Sequence, residues 1–178
     1  MAPMLSGTPG LNEAAPVAPV APVAPDTLRS ACGNFVTGVA VITSGRGEEA
    51  VGTTVNSFTS VSLEPPLVLF CLHVKSRLRP VVQKSQAFAV NILSSQQEVL
   101  AYTFACKETA GLAGVASTPS VTGVPVLDDT LASLSCRVVN TIESGDHTVF
   151  VGEVVELDQP SSRHDALVFF RGKMGSLT

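Results

Sequence analysis

Hydroxyl side chains are concentrated in the segment Gly52–Pro66, which holds six Ser or Thr residues and one Asn among fifteen positions. In an extended segment, Thr54 and Asn56 lie on the same side because successive side chains alternate. Hydroxyls, amides and backbone N–H groups donate to anionic or carbonyl oxygens without adding charge. This pattern predicts a site for a large polar heterocycle that carries a phosphate. The alternative is a Ser/Thr-rich strand and loop whose hydroxyls bond to the chain's own backbone.

Two shorter motifs could complete such a site. Gly145–His147 is a turn sequence before a predicted strand, and an imidazole there can bond to a ligand ring or stack on it, with Asp146 altering its protonation. Lys75–Arg77, which includes Ser76, offers a hydroxyl and two cations to a phosphate. Both motifs also have a simpler interpretation, because turn histidines and turn charges commonly face water.

Other catalytic signatures are missing. The sequence has no GxGxxG, GxxxxGK[ST] or GxSxG motif, which excludes the familiar dinucleotide, P-loop and hydrolase patterns. The histidines His73, His147 and His164 have no metal-ligand spacing, and no local Ser, His and acid arrangement can be assembled. The four cysteines lie 30 to 39 residues apart, which predicts small buried thiols and no metal site.

Composition narrows the function classes further. The chain has 178 residues, the length of one ordinary domain, and a formal net charge of −4. It has no basic run, which argues against nucleic acid as a partner. It has no apolar stretch of about 20 residues, and no Lys or Arg precedes Arg29. We therefore expect no membrane span, no secretory signal and a cytoplasmic location.

The chain divides into a leader and a domain. Ala15–Pro25 reads APVAPVAPVAP, a repeat that favours extended polyproline conformation. We predict that residues 1–25 form a disordered leader, and we leave open that it docks a partner. Residues 26–178 form the predicted domain.

Apolar and β-branched runs indicate a mainly β domain. Strands are predicted at Val36–Thr43, Ala50–Val55, Leu67–His73, Ala87–Leu93, Leu131–Ile142, His147–Leu157 and Leu167–Arg171. The continuous apolar runs Leu67–His73 and Ala87–Leu93 predict strands covered on both faces. Because hairpin spacing dominates, we expect a closed antiparallel barrel decorated by short helices.

The helices are expected to be short. Asp26 is the predicted cap of a helix that ends at Gly33, and Arg79–Ser85 has room for a second. Ser95–Glu98 fits a capping box before a third helix, Glu98–Ala105. Gly111–Gly123 is predicted to be a loop.

The order and spacing of four segments identify a family resemblance. Gly38–Thr43, Gly52–Leu69, Phe88–Leu93 and Gly145–His147 resemble the short-chain flavin reductases, over about Leu28–Leu177. The resemblance implies an FMN-binding split β-barrel that forms a homodimer. It further implies that FMN or FAD is reduced by NADH or NADPH and passed to a separate flavin-dependent monooxygenase.

The resemblance also implies roles for individual residues. The cofactor-binding residues would be Thr54, Asn56, Ser57, Ser60, Val61, Ser62 and Ser76. His147 would pack beside the nicotinamide. Three positions depart from the family pattern: Leu78 replaces a common threonine, and Leu112 and Met174 replace common aromatic residues.

In such an enzyme hydride passes directly from nicotinamide to flavin, so no protein nucleophile is needed. Two other functions remain open at this point. One is a related split-barrel oxidase or reductase that holds FMN tightly and acts on its own substrate. The other is a flavin- or haem-binding carrier without turnover.

Overall fold

The computed structural model describes residues 21–106, 111–160 and 164–177. Runs of β-branched and apolar residues form its strands, which hold more of these residues than its helices do. The α-helices in these residues are α1 (Pro25–Cys32), α2 (Leu78–Ser85) and α3 (Glu98–Ala105). The strands are β1 (Thr37–Gly38), β2 (Ala40–Ser44), β3 (Val51–Val55), β4 (Thr59–Leu63), β5 (Pro66–His73), β6 (Ala87–Ile92), β7 (Ser117–Pro119), β8 (Pro125–Leu127), β9 (Ala132–Ser144), β10 (His147–Asp158), β11 (Val168–Phe170) and β12 (Lys173–Gly175). Short 3-10 turns occupy Gly47–Glu49 and Ser95–Gln97. No helix in the described ranges is long and apolar enough to cross a membrane.

Seven strands form the main sheet, in the order β3-β2-β6-β9-β10-β5-β4. All of its neighbouring strands are antiparallel. The edge strands β3 and β4 are consecutive in the chain, yet the described residues form no ladder between them. This open seam makes the fold a split barrel, as the resemblance implies, instead of the closed barrel that hairpin spacing favoured.

The two continuous apolar runs have different environments. β6 is buried at five of its six positions, which confirms the predicted coverage of both faces. In β5, buried Val68, Phe70 and Leu72 alternate with residues that are only partly buried. The same prediction was therefore wrong for Leu67–His73, because β5 pairs with the edge strand β4 and only one of its faces packs on the core.

Aromatic rings fill the centre of the barrel. Phe70 lies between Phe88 and Phe150, with ring centroids 4.7 Å and 5.4 Å away. Gly152 of β10 faces the Phe88 ring so closely that a Cβ atom would collide with it. Phe70 and Phe150 are directly opposite each other in the β5–β10 pair, so the core and the pairing of these strands support each other.

The predicted strand Val36–Thr43 is in fact two strands, β1 and β2. Between them, the Val39 N–H donates to the Leu167 carbonyl at 3.1 Å, and the Val39 carbonyl accepts from the Leu93 N–H at 3.0 Å. β1 pairs with β11, whereas β2 pairs with β3 and β6. One continuous strand could not serve both sheets, which explains the error.

The helix at the start of the domain does not begin as predicted. Its N-cap is Ala24, which makes no side-chain cap. Asp26 instead accepts a hydrogen bond from Arg29 at 2.7 Å, so its predicted capping role was wrong. Residues 1–20 of the predicted leader lie outside the described residues, and the boundary at residue 26 stays a prediction.

The predicted capping box is displaced by one residue. The Ser94 N–H donates to Oε1 of Gln97 at 3.1 Å, in the turn before α3. The predicted pair, Ser95 and Glu98, was wrong, because a 3-10 turn with Ser94 as its N-cap precedes α3. The helix α3 itself spans the predicted residues.

The segment Gly111–Gly123 is not wholly a loop, because β7 lies within it and pairs with β8. Leu112 and Met174, which replace common aromatic residues of the resembled family, both pack against the apolar cluster that contains Phe104 and Leu167. These two side chains therefore contribute to the packing between α3 and the three-stranded sheet.

Candidate functional site

The register of the β5–β10 pair brings two distant histidines together. His73, the last residue of β5, pairs with His147, the first residue of β10. Their rings meet edge to face, with centroids 5.3 Å apart. Sequence reasoning missed His73 because spacing along the chain does not report neighbours across strands. A signal was present, however, since antiparallel pairing of the two predicted strands would place the end of one opposite the start of the other.

A cavity of about 290 Å³ adjoins this pair. Its lining residues are Thr53, Thr54, Val55, Asn56, Ser57, Cys71, Leu72, His73, Ser76 and His147. The lining thus includes no Asp, Glu, Lys or Arg. Five of the eight predicted site residues meet here: Thr54, Asn56, Ser57, Ser76 and His147.

Two of these hydroxyls hold the walls of the cavity together. Thr54 Oγ1 donates to the Ala101 carbonyl at 2.7 Å and so joins β3 to α3. Ser57 Oγ donates to the Cys71 carbonyl at 3.2 Å and accepts from the Cys71 N–H at 3.0 Å. For these two residues, the alternative that the hydroxyls bond to the chain's own backbone is correct. Each hydroxyl proton is committed, which leaves oxygen lone pairs toward a ligand.

Asn56 and Ser76 differ from them. No other described residue forms a hydrogen bond to the Asn56 amide or to the Ser76 hydroxyl. Both groups are therefore available to donate to a ligand. Lys75 and Arg77 flank Ser76 in the chain, and both are exposed. The cavity thus has neutral donors inside and cations beside it.

The remaining predicted residues lie apart from the cavity lining. Ser60, Val61 and Ser62 are on the edge strand β4. The pairing with β5 shifts between Ser60 and Ser62, so Val61 has no partner in the ladder. The Ser62 hydroxyl accepts from the Glu64 N–H at 3.2 Å. Contact of these three residues with a flavin stays a prediction.

Asp146 lies close to both histidines and forms a hydrogen bond to His147. Its Oδ1 lies 2.7 Å from Nδ1 of His147, and its Oδ2 lies 3.9 Å from Nε2 of His73. The hydrogen bond from His147 is the main cause that lowers the pKa of Asp146. The carboxylate is exposed, so its charge is also screened by water.

Arg79 of α2 supports the turn that carries these groups. Its Nε donates to Oγ1 of Thr148 at 2.8 Å, and a second nitrogen donates to Oε1 of Glu143 at 2.7 Å. Thr148 in turn donates to Glu143 at 2.9 Å. The hydrogen bond from Arg79 is the largest cause that lowers the pKa of Glu143. Three strong contacts thus fix both strands on either side of Gly145–His147.

The cysteines do not all match the prediction of buried thiols. Cys136 is buried, and burial raises its pKa to about 12. Cys71 is half-buried in the cavity wall, and burial raises its pKa as well. Cys32 and Cys106 are exposed, because neither lies in a strand of the barrel core. Among the residues with described positions, no three His, Cys, Asp or Glu side chains could hold a metal ion.

A larger cavity, of about 1060 Å³, lies toward the opposite end of β10. Four carboxylates line it, from Asp128, Asp129, Glu156 and Asp158. Such a lining repels an anionic nucleotide. We therefore place the candidate nucleotide site at the smaller cavity, where the lining is uncharged and cations are adjacent.

Comparison with known proteins identifies the family. The chain matches the flavin reductase like domain over residues 32–178, and it belongs to this family. The resemblance inferred from its motifs is confirmed.

Several relatives match along most of their length. The reductase subunit HsaB of a flavin-dependent monooxygenase from Mycobacterium tuberculosis is 39% identical over 147 residues, covering 82% of this chain and 79% of its own. The FMN reductase (NADH) SmoA of Agrobacterium fabrum is 38% identical over 149 residues, covering 84% of each chain. The NADH:FAD oxidoreductase SgcE6 of Streptomyces globisporus, solved with NAD and FAD fragments, superimposes with a TM-score of 0.81 at 34% identity, covering 89% of this chain and 98% of its own.

The bond between Asp146 and His147 predicts a change in acid titration. Because the folded state lowers the pKa of Asp146, the ionised carboxylate contributes stability above the ordinary Asp range. That contribution is lost as the pH falls through the lowered pKa. In His147→Phe the carboxylate loses its main donor, so we expect its titration midpoint to rise. Carbon NMR of the side-chain carboxyl would measure the midpoint.

Glu143 is the internal control in the same spectra, because its pKa is lowered by Arg79 and Thr148. Its midpoint should not change in the His147→Phe variant. An Asp146 midpoint that stays in place while Glu143 also stays in place would contradict the assigned hydrogen bond.

Proposed function

We propose that this chain is an NAD(P)H-dependent flavin reductase, which oxidises NADH or NADPH, reduces FMN or FAD and supplies the reduced flavin to a partner monooxygenase. The observation that carries the proposal is the uncharged cavity in which Asn56, Ser76 and His147 converge. The named relatives, which include reductase components of monooxygenases and an NADH-dependent FMN reductase, support the same function.

The residues present fit a flavin. The carbonyl and nitrogen edge of its ring needs neutral donors, which the Asn56 amide supplies. Its phosphate needs a hydroxyl and cations, which Ser76, Lys75 and Arg77 supply. When bound, the flavin supplies the ring that accepts hydride from the nicotinamide. The protein's task is then to orient two rings, and alignment of this kind lowers the barrier without a protein nucleophile.

The walls of the cavity suit this positioning task. Thr54 and Ser57 tie β3 to α3 and the β3–β4 connection to β5. Arg79 fixes the turn before His147. Groups held by packed elements place a ligand more accurately than groups on free loops. His147 is in this view a group that binds and orients the nicotinamide.

We also propose that the chain is a homodimer. The face of the sheet opposite the core bears a continuous set of half-exposed apolar residues: Leu67, Leu69, Cys71, Ile142, Val149 and Val151. Cys71, His73 and His147 lie on the same face and line the cavity. A second copy on this face would bury the apolar residues and add a wall to the cavity.

We further propose that the enzyme acts in the cytoplasm, where reduced pyridine nucleotides are available.

The first test of the function is NADH oxidation by the purified protein, followed by the loss of nicotinamide absorbance. The assay would be run without flavin, with FMN and with FAD, and repeated with NADPH. We expect turnover that rises and saturates with added flavin.

A His147→Ala variant should raise KM for the nucleotide more than KM for the flavin, because we propose that this side chain binds the nicotinamide.

Two other results would replace the proposal. Oxidation that needs no added flavin, by protein that retains FMN through purification, would indicate an oxidase acting on its own substrate. No oxidation of either nucleotide with any flavin would indicate a ligand carrier.

Asn56→Ala should weaken flavin binding. Loss of one hydrogen bond contributes about 0.5–1.5 kcal/mol, which corresponds to a Kd roughly 2- to 12-fold higher. Fluorescence quenching of the flavin on binding would give the Kd. Gln83→Ala on α2 is the matched control, since it removes an exposed amide outside the cavity. Equal affinities for wild type and Asn56→Ala would remove Asn56 from the flavin site.

Leu69→Glu should separate the two copies. A carboxylate at the centre of the apolar face would have to be buried without a partner, which costs several kcal/mol. Sedimentation should give twice the chain mass for the wild type and one chain mass for the variant, with circular dichroism checking the fold. Leu157→Glu is the control, because Leu157 is 58% exposed and distant from this face. A monomeric wild type, or a dimeric Leu69→Glu, would contradict the proposed interface.

A further inference from the structure

His73 forms a second imidazole beside the candidate nucleotide site. Its ring lies edge to face against that of His147, with centroids 5.3 Å apart, and both residues line the cavity. Both side chains are 44% exposed, so neither is a packed core histidine. They share one carboxylate, that of Asp146, which has an oxygen toward each ring.

A backbone hydrogen bond determines which ring nitrogen of neutral His73 carries the proton. The Lys75 N–H donates to Nδ1 of His73 at 3.0 Å. A ring nitrogen that accepts a hydrogen bond carries no proton, so the proton of neutral His73 is on Nε2. That N–H is on the side of the ring near Asp146 Oδ2, at 3.9 Å. The dipole of His73 therefore favours a negative Asp146 at this position.

Asp146 in turn determines the tautomer of His147. An ionised carboxylate only accepts hydrogen bonds, so the 2.7 Å contact requires the proton of His147 to be on Nδ1. Nε2 is then the nitrogen left for a ligand, and in the neutral ring it is an acceptor. The nicotinamide carboxamide presents a matching N–H donor.

We propose, on the basis of the flavin reductase function above, that His73 is a positioning residue which holds Asp146 against His147 and thereby makes His147 Nε2 an acceptor selective for the nicotinamide carboxamide. His73 acts through Asp146 and need not touch the reacting atoms. The specificity arises because a ligand without the carboxamide N–H cannot form this hydrogen bond to Nε2.

Two substitutions separate the parts of this role. His73→Phe keeps an aromatic ring against His147 and removes both nitrogens. His73→Gln removes the ring and keeps an N–H group that can reach Asp146. If only ring packing matters, His73→Phe will preserve the single form of His147 and His73→Gln will not. We expect that His73→Gln preserves it and that His73→Phe does not.

The first measurement is nitrogen NMR of the histidine side chains in the protein without nucleotide. We expect neutral His73 to be protonated on Nε2 and neutral His147 on Nδ1. His73→Phe should give a mixture of the two His147 forms, and His73→Gln should restore the single form. An unchanged Nδ1–H form of His147 in His73→Phe would overturn the proposal. This result does not depend on enzyme activity.

The second measurement compares binding of NAD⁺ and its 3-acetylpyridine analogue, in which a methyl group replaces the carboxamide nitrogen. The wild type should bind NAD⁺ about 2- to 12-fold more tightly, the effect of one hydrogen bond. His73→Phe should bring the ratio close to one, and His73→Gln should restore it. The same ratio in wild type and His73→Phe would overturn the selective role. Absence of NADH oxidation together with the expected histidine forms would instead contradict the flavin reductase function alone.

Discussion

The antiparallel register of β5 and β10 is the constraint on which the site depends. It places Phe70 opposite Phe150 on the core face and His73 opposite His147 on the other face. Since strand side chains alternate, a one-residue shift of either strand would expose its phenylalanine and bury its histidine. The cost of exposing the aromatic rings therefore protects the geometry of the histidine pair. Core packing and site geometry have one common cause.

The polar side chains of the cavity lining fall into two groups. Thr54 and Ser57 use their protons to join neighbouring elements, whereas Asn56 and Ser76 keep theirs. A cavity whose donors were all free would have walls held only by packing, and one whose donors were all committed could not bind a polar ring. Polar segments of this kind can therefore be structural and functional at once. The structure confirms backbone bonding for Thr54 and Ser57, and it is compatible with a ligand site in the same segment.

Local sequence patterns predicted where strands and helices lie better than they predicted which faces are buried and which residues are neighbours. The run of β6 and the residues of α3 follow from apolar content and local capping, which are properties of short segments. Whether β5 is covered on both faces depends on its neighbours in the sheet, and its sequence resembles that of β6. His73 was missed for the same reason, because its partner His147 is 74 positions away in the chain. The four segments that carried the family resemblance succeeded where periodicity could not, since their order reflects the whole fold.

The cost of removing a charged group from water explains why the charges lie around the cavity and not in its lining. Inside the lining, a carboxylate or ammonium group would need a partner to offset its desolvation. Asp146 and Glu143 avoid this by lying exposed at the turn, each with a hydrogen-bond donor close by. Asp146 lies outside the cavity lining but forms a hydrogen bond to His147, which is part of that lining. The turn thus keeps the carboxylate charges in water while the imidazole of His147 lines the cavity, an arrangement suited to reactions in which charge develops on the ligand and not on the protein.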